Sequence, residues 1–399
     1  MKKIALLVGL VIVASSLAVV TGSEPGKLII WADDTRASIL RDVGKAFTEE
    51  YGIPVVVDEI EFANIRNKLA VAGPSGEGPD IIIGPHDWIG ELVSNGLIES
   101  IELTEDKRAQ FTPVSLEAFT YGKNLYGVPY AVECIALIYN KDILPVPPET
   151  FEELIQTAKE LTDDKKGEYG FLIQEPDPYH TFPLMSATGG YIFGKNPDGT
   201  ENPNDIGLAN EGSIRGVKLL DRLVKEGIEK KGMDYAIVTG LFYEGKLAMM
   251  LGGPWTLSDA KKAKINYGVA KIPTIDGQPP KPFVGVQGFM VSSFSENKML
   301  ANMFLEEFIA TKETALSLYE VGDRPPAFLS ALEEISDDLD IQAFSASGAD
   351  GIPMPKIPEM ASVWGAWEDA LELIVSQKVE PETAMRDAVK VIKMLIEGP

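Results

Sequence analysis

Tryptophans and carboxylates recur where the apolar segments of this sequence are expected to end as strands. These residues are Asp33, Asp34, Asp87, Trp88 and Trp255. An indole can stack on the apolar C–H face of a sugar ring, and carboxylates accept strong hydrogen bonds from hydroxyl groups. Because the carboxyl ends of parallel strands meet at one edge of a sheet, we expect these side chains to converge. The pattern favours a carbohydrate-binding cleft, although core filling is an equally common role for any single tryptophan.

Trp255 and aromatic residues in two other segments are candidates for the walls of such a cleft. Trp255 follows the turn formed by residues 252–254, which directs the chain out of an apolar stretch and favours a stacking role for this indole. Tyr179 ends a proline-rich segment that suits a binding wall, with an ordinary surface turn as the alternative. Trp364 and Trp367 are three residues apart on a predicted helix, so one is expected to reach the cleft while the other packs inward.

Groups that could perform catalysis or bind a metal are sparse. The chain has two histidines and one cysteine, without the ligand spacing of a zinc site, and it contains no nucleophile elbow or phosphate-binding loop. Cys134 lies in an apolar stretch and is expected to be a small buried residue. The sequence therefore predicts a binding protein without metal or cofactor, and not an enzyme. An exported glycosidase is the alternative, because glycoside cleavage also uses carboxylates beside aromatic rings.

Charge and the N-terminal sequence restrict the possible partners and location. The formal net charge of −24 disfavours binding to nucleic acid and to anionic membranes. Residues 1–22 combine two lysines, an apolar run and small residues, in the order of a secretory signal peptide. We therefore expect a periplasmic or otherwise extracytoplasmic protein. Because the apolar run is rather long, an uncleaved membrane anchor is the alternative.

Strands and helices alternate along the chain, which is typical of an α/β fold with mostly parallel sheets covered by helices. Residues 127–141 and 284–291 are long and apolar, and we expect them to cross between two lobes as hinge strands. Both lobes are then discontinuous in sequence. The predicted N-lobe comprises residues 26–132 and 289–334, and the predicted C-lobe comprises residues 136–283 and 335–399.

Seven stretches of the chain, in order, match a known family. They are "GKLIIW", "GPDIIIGPHD", "LIYNKDILP", "QEPDPYHTFPL", "NYGVAKIP", "GQPPKPFVGV" and "IPEMASVWGA". From about residue 26 to residue 377 the chain resembles the extracytoplasmic maltose- and maltodextrin-binding proteins of ABC sugar importers. The resemblance implies a two-lobed periplasmic-binding-protein fold. It further implies a monomer that closes on maltose, maltotriose or a related glucoside and delivers it to a membrane permease. The same fold binding a different solute is the alternative.

The resemblance also implies roles for individual residues. It suggests that sugar hydroxyls form hydrogen bonds with two aspartates of the N-lobe, with one residue of the hinge and with two residues of the C-lobe. The residues so implied are Asp33 or Asp34, Asp87, Glu133, Glu175 and Tyr179. The stacking surfaces it implies are those of Tyr179, Trp255 and Trp364.

Several positions depart from the family pattern. The turn after the first strand is shorter, and Arg36 stands near the place of the customary lysine. Trp88 replaces an arginine of the family motif, while Gly84 and Gly365 replace bulkier aromatic residues. We expect the two glycines to leave space near the pocket. A trisaccharide or another glucose disaccharide is therefore expected to fit better than maltose.

Overall fold

Two sheets, each with its own hydrophobic core, organise the chain. The computed structural model describes residues 26–398, so the predicted signal peptide, residues 1–22, lies outside the described part. One core draws on residues 28–131 and 286–331, and the larger of the remaining cores draws on residues 135–392. The predicted two-lobed α/β fold is confirmed. Within residues 26–398, no helix combines the length and the apolar character needed to cross a membrane.

The N-lobe sheet is built around Phe283–Ser292. In sheet order its strands are Ile352–Pro353, Phe283–Ser292, Ile81–Pro85, Leu28–Ala32 and Val55–Glu59, and Ile98–Glu99 and Val128–Glu133 also pair with Phe283–Ser292. A short hairpin joins Thr120–Tyr121 to Asn124–Leu125. The helical segments are Asp34–Tyr51, Phe62–Ala72, His86–Trp88, Ile89–Ser94, Glu105–Arg108, Pro113–Ala118, Lys298–Phe304, Leu305–Ile309, Lys312–Gly322 and Leu329–Glu334.

The C-lobe sheet has four strands. In sheet order they are Tyr267–Ala270, Ala136–Asn140, Leu247–Gly252 and Tyr169–Leu172. A separate hairpin pairs Phe193–Lys195 with Glu201–Ile206. The helical segments are Phe151–Leu161, Pro178–Ala187, Gly207–Ala209, Glu211–Lys225, Tyr235–Tyr243, Pro254–Thr256, Leu257–Lys262, Leu339–Gly348, Pro358–Met360, Ala361–Val375 and Pro381–Glu397.

Both sheets are mixed, which corrects the prediction of mostly parallel sheets. Ala136–Asn140 runs antiparallel to both of its neighbours, and Phe283–Ser292 runs antiparallel to Ile81–Pro85 and to Val128–Glu133. Parallel pairs arise where a crossover helix returns the chain to the same end of a sheet. The antiparallel strands instead lie next to the crossings between lobes, so they enter their sheets from the lobe boundary.

The predicted hinge segment 127–141 consists of two strands that belong to different sheets. Val128–Glu133 joins the N-lobe sheet and Ala136–Asn140 joins the C-lobe sheet, so the crossing lies at Cys134 and Ile135. Cys134 is 4% exposed, as its apolar surroundings predicted. Burial raises the pKa of its thiol to about 12, which leaves it protonated and unreactive at neutral pH.

The second predicted hinge segment, residues 284–291, lies within Phe283–Ser292 and stays in the N-lobe sheet. The first residue of this strand, Phe283, nevertheless packs in the C-lobe core, where its ring stacks on Phe182 with centroids 3.8 Å apart. A further crossing occurs after Leu329–Glu334, because Leu339–Gly348 packs on the C-lobe through Phe344. The lobe boundaries given above remain predictions at the level of single residues.

Candidate functional site

Asp33 and Arg36 form a buried pair where the first strand meets its helix. Asp33 is the N-cap of Asp34–Tyr51, and its carboxylate accepts a hydrogen bond from the Arg36 backbone N–H at 3.2 Å. The same carboxylate pairs with the Arg36 guanidinium. Arg36 Nε also donates to the Tyr130 hydroxyl at 2.6 Å. Asp34 is instead exposed and accepts from the neighbouring Thr35 N–H at 2.9 Å, so the two aspartates differ in their freedom to meet a ligand.

Asp87 connects the two lobes. It lies in the single helical turn His86–Trp88 after Ile81–Pro85 and is 7% exposed. Trp364 of the C-lobe donates from Nε1 to Asp87 Oδ2 at 3.1 Å. Burial raises the pKa of Asp87 to about 6, against the opposing effect of the Arg66 charge. A buried carboxylate bonded to an indole across the lobe boundary is thus one element of the site.

His86 fixes the turn that carries Asp87. Its Nδ1 accepts from the Val286 N–H at 3.1 Å, which leaves Nε2 to donate to the Met354 carbonyl at 3.1 Å. Burial lowers the pKa of His86 to about 4, so the ring is neutral at neutral pH. His86 therefore positions the turn without adding a charge.

Trp88 belongs to the N-lobe core. Its ring packs on Phe62 with centroids 5.5 Å apart and lies over Gly84, where an added Cβ would be 2.5 Å from the indole. The space expected at Gly84 is therefore filled, and that expectation is wrong. At Gly365 an added Cβ would meet no atom within 4 Å, so the second glycine does face open space.

Glu133 ends its strand at the hinge and is 7% exposed. Its Oε1 accepts from Gln287 Nε2 at 2.8 Å, and its Oε2 accepts from Arg324 Nε at 2.6 Å. The paired cation and amide thus give both oxygens of this buried carboxylate a hydrogen-bond partner.

The aromatic residues of the C-lobe form the opposite wall. Tyr179 and Trp255 have ring centroids 6.3 Å apart, and the Tyr179 hydroxyl donates to the Phe283 carbonyl at 3.4 Å. Trp364 stacks on Trp367 with centroids 6.2 Å apart and planes 7° apart. Trp367 is fully buried, so it packs inward as one of the pair was expected to do, and Trp364 is partly exposed, so its role in the cleft stays a prediction.

Glu175 lies against its own lobe. Its carboxylate accepts hydrogen bonds from the backbone N–H groups of Gly232 and Met233. Burial raises its pKa, and the two N–H groups act in the opposite direction. Glu175 is thus bonded to its own lobe, and its predicted role in sugar binding stays untested.

The remaining side chains form one interlobe cluster. Direct contacts join them in three groups, which are Asp33, Arg36 and Tyr130, then Glu133, Tyr179, Trp255, Gln287 and Arg324, and finally Asp87 and Trp364. The ring of Phe283 packs against both Tyr179 and Trp364, and the charge of Glu133 acts on Arg36, so the three groups adjoin one another. The charges of Glu133 and Asp87 both act on Tyr179, whose pKa burial raises well above its usual value. Within residues 26–398, no group of three or more acidic, histidine or cysteine side chains is arranged to hold a metal ion.

Three buried polar atoms of the cluster have no hydrogen-bond partner among the described residues. They are Arg36 Nη2, Asp87 Oδ1 and Gln287 Oε1. An unpaired buried donor or acceptor destabilises a protein by about 1–3 kcal/mol, so such atoms mark places where a ligand can supply the missing partner. The cluster therefore offers one donor and two acceptors beside the three C-lobe rings of Tyr179, Trp255 and Trp364.

Sequence reasoning missed three members of the cluster, namely Tyr130, Gln287 and Arg324. Arg324 follows a glycine and an aspartate and precedes two prolines, which is punctuation typical of a fixed loop. That signal places Arg324 in a rigid turn. It does not indicate that the turn faces the site.

Comparison with known proteins identifies the family. Residues 42–343 match the family described as bacterial extracellular solute-binding protein. The chain belongs to this family. It is accordingly a solute-binding protein and not an enzyme, as its sparse catalytic groups predicted.

Its relatives bind oligosaccharides of more than one kind. The galactooligosaccharide-binding protein of Bacillus subtilis is 33% identical over 387 residues, which cover 95% of this chain and 91% of the relative. A maltooligosaccharide ABC transporter solute-binding lipoprotein of Streptococcus pneumoniae is 32% identical over 424 residues, covering 100% and 98%. The maltotriose-binding protein of Pyrococcus abyssi is 32% identical over 375 residues, covering 91% and 80%.

Proposed function

We propose that this solute-binding protein captures malto-oligosaccharides outside the cytoplasm and delivers them to the permease of an ABC importer. One observation carries the proposal: three aromatic rings and three unpaired buried polar atoms lie in a single cluster at the lobe boundary. Sugar rings have apolar faces that stack on aromatic rings and hydroxyls that pair with polar atoms. The names of two relatives, for maltooligosaccharide and maltotriose, support this ligand class.

Binding and closure follow from where these groups lie. Asp87 and Glu133 supply acceptors on the N-lobe and hinge, while Trp255 and Trp364 supply stacking surfaces on the C-lobe. A sugar held by both walls has its highest affinity for the closed form, so binding shifts the population toward closure. The closed lobes then present the surface that the permease recognises.

Galacto-oligosaccharide is the second candidate ligand. The relative with 33% identity is named for that class of sugar. Both classes offer stacking faces and hydroxyl rims, so the choice between them depends on which hydroxyls reach Asp87 and Arg36.

Calorimetric titration with maltose, maltotriose and a galactosyl oligosaccharide tests the proposal. We expect maltotriose to bind the wild type, and Trp364→Ala to weaken that binding by on the order of tenfold or more, since it removes a stacking surface. Tyr51→Ala, which alters an exposed aromatic residue on an N-lobe helix, serves as the control. Absence of binding by every malto-oligosaccharide would overturn the proposed ligand class. Equal affinities of Trp364→Ala and the wild type would remove Trp364 from the site.

A further inference from the structure

Arg324 reaches the C-lobe from a loop that is fixed to the N-lobe hinge strand. The loop follows Lys312–Gly322 and pairs with Val128–Glu133 through its backbone. The Val132 N–H donates to the Pro325 carbonyl at 2.9 Å, and the Ala327 N–H donates to the Tyr130 carbonyl at 2.8 Å. These bonds hold the Cα of Arg324 in place on the N-lobe.

The Arg324 side chain contacts two proposed ligand residues at once. Its Nε donates to Glu133 Oε2 at 2.6 Å, and its Cζ lies 5.5 Å from the centroid of the Trp255 ring. The side chain is only 10% exposed. Because Arg324 approaches from the N-lobe, the face of Trp255 that it covers is the one directed across the lobe boundary.

A guanidinium and a sugar ring compete for the same surface of an indole. The negative face of the indole attracts the cation, and the planar guanidinium is suited to lie over it. The C–H face of a sugar stacks on that same face. Both cannot occupy it together, so a sugar that stacks on Trp255 has to displace the guanidinium.

We propose that Arg324 is a selectivity residue that covers the stacking face of Trp255. The inference rests on the proposed sugar-binding function and deepens it. A ring that binds at Trp255 must break the contact between the guanidinium and the indole, whereas a ring held at Trp364 and Asp87 leaves that contact intact. Arg324 therefore lowers the affinity for ligands that extend to Trp255 relative to ligands that do not.

A double-mutant cycle with Arg324→Gln and Trp255→Ala tests this role. The glutamine amide can still donate to Glu133 but has no charge to hold over the indole. With maltotriose as the probe, we expect Arg324→Gln to tighten binding by about 3- to 30-fold, the range of a cation–π contact. We expect little change from the same substitution in the Trp255→Ala background. Weaker or unchanged binding in Arg324→Gln, or an equal effect in both backgrounds, would overturn the proposal.

Lys261→Gln separates covering of the ring from general lobe closure. Lys261 pairs across the boundary with Asp323, the neighbour of Arg324. This variant weakens an interlobe contact while Trp255 stays covered. A tightening by Lys261→Gln equal to that of Arg324→Gln would assign the effect to lobe closure and refute the selectivity role. Arg324→Asn, which also has an amide and no charge to place over the indole, replaces Arg324→Gln if thermal melts show that the glutamine variant is unfolded, and the same tightening is expected of it.

Ligand-free fluorescence keeps the two proposals distinguishable. If the wild type binds none of the sugars, the proposed function fails, but the contact can still be measured. We expect Arg324→Gln to change the tryptophan emission of the ligand-free protein, and to cause no such change in the Trp255→Ala background. Unchanged emission in the first comparison would show that Arg324 does not cover Trp255 in solution.

Discussion

Asp87 is a buried carboxylic acid whose pKa lies near the pH at which many proteins work. Burial raises its pKa to about 6 from an ordinary value of 3.8. Between these two pH values the folded chain binds more protons at this group than the unfolded chain does. The contribution of Asp87 to stability is therefore most favourable in acid and declines as the pH rises through 6. The affinity for a ligand has the opposite pH dependence and is higher above pH 6, because the ionised carboxylate accepts hydrogen bonds more strongly.

We accordingly expect sugar affinity to fall as the pH is lowered below about 6. Titrations from about pH 5 to pH 7.5 measure this, and Asp87→Asn should bind more weakly but with a flatter pH profile. His86 does not confuse the result over most of that range, because burial lowers its pKa to about 4. A pH profile of Asp87→Asn that parallels the wild type would assign the titration to another group.

Residue types predicted the site better than they predicted side-chain direction. The side chains that lie close together include those of Asp87, Glu133, Tyr179, Trp255 and Trp364. A sequence can point to such residues, because strand ends and the aromatic residues that follow turns can be read from it. Trp88 packs in the N-lobe core, and Glu175 is bonded to the backbone of its own lobe, because the orientation of both side chains depends on residues distant in the sequence. Arg324 had no distinguishing spacing. Its position depends on pairing between its loop and a strand almost 200 positions earlier in the chain.

At the scale of elements, the corner after Leu247–Gly252 determines where Trp255 points. The strand is followed directly by the single turn Pro254–Thr256. A Cβ at Gly253 would overlap the Trp255 ring, so the absence of a side chain there permits the observed position of the indole. The backbone of Gly253 is extended, with φ at −103°, and thus the requirement is one of space and not of backbone conformation.

We expect Gly253→Ala to displace the Trp255 ring and to weaken maltotriose binding by about tenfold or more, as for loss of an aromatic anchor. Overpacking is expected to cost about 1–3 kcal/mol, which lowers Tm by several degrees without unfolding the protein at 25 °C. Gly240→Ala is the matched control, because an added Cβ there meets no atom within 4 Å. Wild-type affinity in Gly253→Ala would mean that Trp255 does not need this corner.

Periodicity located most elements but left their directions open. The apolar residues of Pro381–Glu397 repeat at helical spacing, so the periodicity alone predicts this last helix. The direction of a strand cannot be read from its sequence pattern in the same way, since side chains alternate between faces in parallel and antiparallel pairs alike. The mixed N-lobe sheet follows from pairing between Phe283–Ser292 and strands about 150 to 200 residues earlier in the chain.

At the scale of the whole molecule, the proposed lobe closure gives contacts at the boundary a role, because they would favour the closed form without a ligand. Lys261 of the C-lobe pairs with Asp323 of the N-lobe, and Asp87 accepts from Trp364. A partly exposed ion pair contributes up to about 1 kcal/mol and weakens as salt rises. The balance between open and closed forms is therefore sensitive to single contacts.

Small-angle scattering with and without maltotriose measures that balance. We expect the sugar to lower the radius of gyration of the wild type. We expect Lys261→Gln to raise the ligand-free value by shifting the ratio of open to closed forms up to about fivefold. Arg386→Gln removes an exposed helical ion pair away from the boundary and is the control. A radius of gyration that stays constant despite binding would argue against capture by lobe closure.

The repeated crossing between lobes has a practical consequence for making fragments of this protein. A truncated product that stops at Glu133 would lack Phe283–Ser292, the central partner of Ile81–Pro85 and Val128–Glu133. Its open backbone edges would then be free to join other copies and aggregate. Isolating the N-lobe therefore requires joining two distant stretches of coding sequence, because no single stop codon yields its sheet without the C-lobe strands that lie between its parts.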